Sequence, residues 1–149
     1  MVRDATPLDL LAIADLGTRY REEAQGYAGT EIDYEHGFAC LMQTLGNPGG
    51  ILLVAEANGK VCGFMWAVVD RVIPWSSRLV AYDFLLYVSP ESRKSRLGLQ
   101  LIRAYYARAK QLGAQEVLLS HASRIEPERA DRLYRALGFE PVGTQYRRF

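Results

Sequence analysis

Asn58-Gly59 lies between two strand-like runs, Ile51–Ala57 and Lys60–Val69, and this is the feature that most restricts the fold. Asn-Gly supplies the two positive φ angles of a type I′ turn, so the runs form an antiparallel hairpin, with a sheet at the centre of the molecule. Leu79–Val88 is aromatic and β-branched and reads as a further strand, set off by the turn Pro74-Trp75-Ser76-Ser77.

Helical spacing flanks this sheet. Met1–Thr6 reads as a short first strand, and Thr6-Pro7 as an N-cap with proline in the first turn. Leu8, Leu10, Leu11, Ile13 and Leu16 then give a helix-period stripe to about Tyr20. Glu22–Thr30 reads as a loop, and Asp33–Leu45 as a second helix with Phe38, Leu41 and Met42 inward, ended by Gly46–Gly50. After Pro90 comes a long helix with Leu97, Leu101, Ile102, Tyr105, Ala109 and Leu112 inward and Gly113 at its C′ stop. Glu116–Ser120 is expected to be a strand. Glu126-Pro127 opens a helix with Ala130, Leu133, Tyr134 and Leu137 on one face, and Phe139–Phe149 is expected to give one or two closing strands. The order β-α-α-β-β-β-α-β-α-β predicts one α/β (α+β) domain over residues 1–149, a mixed and mostly antiparallel sheet flanked by helices.

Composition excludes several classes. With 49% hydrophobic and 23% charged residues, the chain is neither disordered nor fibrous. No run approaches the roughly 20 apolar residues of a membrane span, and no apolar export signal opens the chain. Cys40 and Cys62 have no metal-site spacing and are too few for a disulfide scaffold, which favours a reducing, cytoplasmic setting. His36 and His121 provide no metal-ligand set, and Ser120 and His121, adjacent in or beside a strand, cannot both join a catalytic triad. The net charge of +1 hides a split, −5 over residues 1–88 and +6 over residues 89–149. Such an asymmetry suggests different partners for the two halves.

The junction Val88–Leu101 carries the chemistry. A strand ends, Arg93, Lys94 and Arg96 follow within four residues, and Gly98 sits in the first turn of the long helix. A helix start leaves about four amides unpaired and about half a positive charge. With added cations and a residue lacking a side chain, this is a cradle for phosphate or pyrophosphate. A solvated basic turn is the plainer alternative.

Val88-Ser89-Pro90-Glu91-Ser92-Arg93-Lys94-Ser95-Arg96-Leu97-Gly98, after Leu86-Tyr87-Val88, resembles the acyl-CoA loop (Arg/Gln-x-x-Gly-x-Gly/Ala) of the GNAT superfamily of N-acetyltransferases. Ala130-x-x-Leu133-Tyr134-x-x-Leu137-Gly138-Phe139 matches a second family segment, and the element order agrees along essentially the whole chain. The resemblance implies transfer of acetyl from acetyl-CoA to a primary amine, without a metal. It implies that backbone amides across Arg93, Lys94, Ser95, Arg96, Leu97, Gly98 and Leu99 hold the CoA pyrophosphate. The edge at Leu86, Tyr87 and Val88 would pair with the pantetheine amides, an N–H near Val88 would polarise the thioester, and Tyr134 would protonate the leaving thiolate. Asp83 is the implied base, although the offset used by some relatives falls on Tyr82; His121 is the weaker alternative. Two positions depart from the pattern: Arg96 replaces the first loop glycine, and Pro127 stands where an Asn often contacts pantetheine. Homodimers are frequent in the superfamily.

The acidic half would meet a cationic amine through Glu22, Glu23, Glu31, Asp33 and Glu35, with Tyr27 and Tyr34. Nucleic-acid binding through Arg103, Arg129, Arg132, Arg135, Arg147 and Arg148, with Tyr146 and Phe149, is one rival reading. A GNAT-fold protein that acts through protein contacts with little or no catalysis is the other.

Overall fold

The computed structural model describes residues 1–25 and 31–148. Five strands form one sheet in the order β1-β2-β3-β4-β5: β1 Val2–Asp4, β2 Gly50–Ala57, β3 Lys60–Asp70, β4 Val80–Val88 and β5 Glu116–Val117. The first four are mutually antiparallel, and β5 joins β4 in parallel, which gives the predicted mixed sheet. The hairpin turn is as expected, with φ of 51° at Asn58 and 73° at Gly59, and Ala57 opposite Lys60.

The helices are α1 Leu10–Glu23, α2 Tyr34–Gly46, α3 Leu97–Gln111 and α4 Pro127–Ala136. Helix α3 covers one face of the sheet: Leu97, Leu101, Tyr105 and Ala109 pack on Ile51, Leu53, Met65 and Ala81. Helices α1 and α2 cover the other, where Leu10, Ile13, Leu16 and Leu41 meet Leu52, Val54, Phe64 and Tyr87. Strand residues therefore alternate between two cores, as the two-residue period of a pleated strand requires.

Several expectations are corrected. Leu8 and Leu11 are exposed, because Pro7–Asp9 is a 3-10 turn and the buried stripe of α1 is Leu10, Ile13, Leu16 and Tyr20. The turn is closed by Asp9, whose carboxylate accepts from Thr6 N (2.7 Å) and Thr6 Oγ1 (2.9 Å). Arg3 clamps the same carboxylate with two bonds of 2.8 Å and reaches Glu56 at 2.9 Å, tying β1, the turn and β2 together. Met42 faces outward. Glu22 and Glu23 belong to α1 rather than to a loop. Strand β5 stops at Val117, not Ser120, and residues 139–148 form no strand. No helix among the described residues is long and apolar enough to cross a membrane.

Candidate active site

The site begins where β5 leaves β4. The strands pair at Val80–Glu116 and Ala81–Val117, with two flanking bonds, from Gln115 N to Leu79 O (2.8 Å) and from Leu118 N to Ala81 O (2.8 Å). Beyond that point the side chain of Asp83 takes over: Ser120 N donates to Oδ1 (2.9 Å) and Ser120 Oγ to Oδ2 (3.2 Å). A carboxylate thus stands where the next strand partner would be, and the edge of β4 from Leu85 onward is open. Ser89 N donates across to Cys62 O on β3 (2.8 Å). By the alternation of strand amides, the N–H groups of Leu86 and Val88 face the open edge. A cleft of about 560 Å³ follows this edge, bounded by β4, the start of α3 and α4.

At one end lies the basic loop, and its parts divide their labour. Arg93 N, Ser95 N and Leu97 N are already engaged by Pro90 O (3.3 Å), Ser92 O (3.1 Å) and Ser95 Oγ (3.3 Å). Three of the seven amides expected to form the cradle thus have partners within the loop, whereas those of Gly98 and Leu99, in the first turn of α3, have no carbonyl one turn back within the helix. A Cβ at Gly98 would meet only Val88 Cγ2, at 3.9 Å. The protein itself does not require glycine there, so the space belongs to the cleft. Arg96 and Ser95 line the same mouth, and Lys94 is exposed beside them.

Arg93 is turned inward. Its Nε donates to Val88 O (2.9 Å), Nη2 lies 2.7 Å from Glu23 Oε2, and the guanidinium stands 5.3 Å from the Tyr87 ring centroid. The Tyr87 hydroxyl donates to Glu23, and burial, with that bond, lifts the phenol above its usual range. Arg93 thus ties the end of β4 to α1. Arg19 pairs with Glu91 at 2.7 Å, a second tie from α1 to this loop, and holds the Glu91 carboxyl at about 2. Arg129 Nη2 donates to Arg93 O (2.6 Å) and pins α4 to the loop across the cleft.

At the other end sit the groups able to move protons. Burial raises Asp83 to about 6, against which the two bonds from Ser120 pull downward. Tyr134, half-buried on α4, donates to Ser120 O (3.2 Å). Burial, and then the charge of Asp83, raises its phenol above the ordinary value, so it keeps its proton at neutral pH. The His121 ring centroid lies 5.9 Å from that of Tyr134. Tyr82 packs instead against Phe84, with centroids 5.2 Å apart. Asp83 and Tyr134 meet through Ser120, which the sequence offers only as a rejected triad member.

Other candidates do not converge. Pro127 lines a shallow hollow with His121, Glu128, Asp131 and Arg132, whereas the cleft wall is formed by Glu126, Arg129 and Ala130. The acidic set is dispersed: Glu23 serves the basic loop, Asp33 caps α2 by accepting from His36 N (2.9 Å), and Tyr34 meets Thr18 Oγ1 (3.1 Å). Glu22, Glu31 and Glu35 are exposed, and Tyr27 lies outside the described residues. In the proposed basic face, Arg129 pairs with Glu126 (3.3 Å) and Arg135 with Asp131 (2.9 Å), which lowers its free charge; Phe149 lies outside the described residues. No three His, Cys, Asp or Glu side chains among the described residues gather as metal ligands.

Residues 48–141 match the family described as the acetyltransferase (GNAT) domain. Mycothiol acetyltransferase of Saccharomonospora viridis is 33% identical over 97 residues, 64% of this chain and 31% of that protein. An uncharacterized N-acetyltransferase of Schizosaccharomyces pombe is 31% identical over 106 residues, 70% of this chain and 61% of that one. The chain thus spans less than two thirds of the length of either relative. Among solved structures, AAC(6')-Iy in complex with a bisubstrate analog superposes with a TM-score of 0.77 at 22% identity, covering 100% of this chain and 97% of that one. A transcriptional regulator from Bacillus halodurans gives 0.80 at 18% identity over 100% and 98%. Sequence family, strand order and the opened edge of β4 agree: this chain is a member of the GNAT acetyltransferase family.

Proposed function

We propose that this protein transfers an acetyl group from acetyl-CoA to a primary amine. The observation that carries the reading is one cleft that joins an anion cradle, an open strand edge and a half-buried carboxylate–phenol pair. Acetyl-CoA, when bound, supplies the activated acetyl carbon and the thiol leaving group.

The residues present suit that ligand. Gly98 and Leu99 offer amides to a phosphate, the cation of Arg96 stands at the same mouth, and Lys94 is exposed in the same loop. Leu86 and Val88 offer backbone groups to an extended amide chain as a neighbouring strand would. The Val88 carbonyl is taken by Arg93, so the free contribution of that residue is its N–H, the donor suited to an acyl oxygen. A preorganised donor of this kind is commonly worth about 10²–10³ in rate.

Asp83 takes the proton released as the amine nitrogen bonds the acetyl carbon and the C–S bond breaks. Its elevated pKa makes it a better base than an ordinary carboxylate while leaving it charged at neutral pH. Tyr134 holds its proton too firmly to surrender it outright to a thiol of reference pKa about 8.5. Its part is to turn that hydrogen from Ser120 O to the departing sulfur as a hydrogen bond, while the sulfur takes its proton from solvent. No enzyme nucleophile is needed, in keeping with direct transfer.

Calorimetry with acetyl-CoA and CoA, followed by thiol release over a panel of primary amines, tests the reading. Heat with both ligands and amine-dependent thiol release are expected. No heat with either ligand overturns it, and binding without thiol release for any amine returns the protein to the non-catalytic alternative.

A further inference from the structure

Among the described residues, the face of the sheet under α1 and α2 has an uncovered patch. Phe64 and Tyr87 on this face are buried, yet Phe84, in the interior strand β4, is 48% exposed. The β3–β4 register slips between Trp66 and Ala67, so Trp66 faces Leu85, Ala67 faces Asp83, and Phe84 is left without a partner across β3. A bulge of this kind re-aims a side chain and is over-represented next to active sites.

The ring it presents is held on two sides. Trp66 meets Phe84 edge-to-face with centroids 5.7 Å apart at 69°, and Tyr82 does so at 5.2 Å and 79°. Trp66 is fixed in turn by Nε1 donating to Thr44 Oγ1 at 2.8 Å. Phe84 lines the same cleft as Asp83, Ser120 and Leu86. A rigid, half-exposed aromatic surface beside the proton-accepting carboxylate is a poor arrangement for folding and a good one for holding a flat ligand.

We propose that Phe84, held by Trp66 and Tyr82, is the floor of the acceptor site, and that the acceptor is a primary amine carried on an aromatic or flat apolar ring. The placement rests on the acetyl-transfer reading, since it is the amine of that reaction that must reach Asp83. The acidic residues expected to recruit the acceptor are scattered, which leaves apolar contact as the principal source of selectivity. A macromolecular partner fits less well, because the uncovered aromatic surface lies within a cleft rather than on a broad face.

The test uses the intact chain carrying Trp75→Asn. The protein has two tryptophans, and Trp75 is fully exposed with φ of 60°, a conformation Asn tolerates, so Trp66 becomes the sole tryptophan and is excited selectively at the red edge of its absorption. Phenethylamine and ethanolamine are compared, by Trp66 fluorescence in the presence of CoA and by thiol release with acetyl-CoA. Phenethylamine is expected to perturb Trp66 emission saturably and to exceed ethanolamine in kcat/KM by about tenfold or more. Phe84→Ala should bring the two amines within about threefold of each other and Phe84→Tyr should preserve the preference, both with unchanged acetyl-CoA affinity. Equal kcat/KM for the two amines, a preference that survives Phe84→Ala, or no response of Trp66 to phenethylamine overturns the proposal. Failure of acetyl-CoA to bind overturns the acetyl-transfer reading instead, and the fluorescence titration still decides whether Phe84 holds the ring.

Discussion

Asp83→Asn separates the chemical from the structural value of one carboxyl group. The native carboxyl accepts from Ser120 N and Oγ, and burial still lifts its pKa from 3.8 to about 6. A raised carboxylate favours the protonated form in the fold, so its contribution to stability is complete below pH ~4 and is lost as pH rises from there through about 6. At pH 7 holding the charge in the fold costs roughly 3 kcal/mol at most. Asparagine keeps an acceptor for Ser120 N and removes the charge, so the variant should be more stable than the native protein at pH 7, by about 1–3 kcal/mol. The gain should vanish at pH 4. Urea unfolding at both pH values measures this, with thiol release from pH 5 to 8 alongside. The native rate should rise through a group near 6, and the variant should bind acetyl-CoA normally while losing that limb and about 10²-fold or more in turnover. A variant less stable than native at pH 7, or a pH profile still showing the limb near 6, refutes the reasoning.

Gly98→Ala should stabilise α3 by up to about 0.8 kcal/mol, because the new methyl meets nothing closer than Val88 Cγ2 at 3.9 Å. It should also weaken acetyl-CoA binding by about tenfold, and calorimetry beside thermal unfolding distinguishes this from a plain packing change. Tyr134→Phe should lower kcat by about 10–10² with acetyl-CoA affinity within twofold, read by steady-state kinetics. Glu23→Gln loosens Arg93 and should raise KM for acetyl-CoA about threefold to tenfold while kcat holds, at a cost of about 1 kcal/mol in stability. Arg3→Met strands the buried Asp9 carboxylate, which Arg3 holds well below the usual carboxylate range. Denaturant unfolding should show a loss of about 2 kcal/mol at pH 7 that narrows as acid protonates Asp9, since a depressed carboxyl stabilises only above its unfolded pKa.

The elements that sequence located well are those governed by local rules. The Asn58-Gly59 turn, the stripe of α3 and the C′ glycine at Gly113 (φ 87°) follow from backbone freedom and helical period. Leu8 and Leu11 misled because hydrophobicity marks a face only once the helix start is known, and the 3-10 turn shifted that start to Leu10. The ends of the chain misled for another reason. β-like composition from Glu116 and from Phe139 invites strands, but pairing is non-local, and at Ser120 a carboxylate has displaced the partner. In the site, Arg93 stood out as a cation, while its inward turn depends on Glu23, 70 positions earlier, and no spacing rule connects them. The Tyr82–Phe84 pair was visible as an aromatic run, but the exposure of Phe84 accompanies a register slip that leaves it as the extra residue of β4 against β3.

The shortness of β5 makes it a fulcrum. The two walls of the cleft share one small pairing, Val80–Ala81 with Glu116–Val117, and separate from there. At about 3.3 Å per residue, Val88 lies roughly 23 Å along the strand from Ala81, so a tilt of about 5° at the fulcrum alters the gap there by about 2 Å. Errors at the pairing are therefore magnified where donor and acceptor must meet. The bonds of Asp83 to Ser120, Tyr134 to Ser120 and Arg129 to Arg93 brace the far arm against that leverage. Positions 116 and 117 touch no proposed reactant, yet they set the working distance of every group that does.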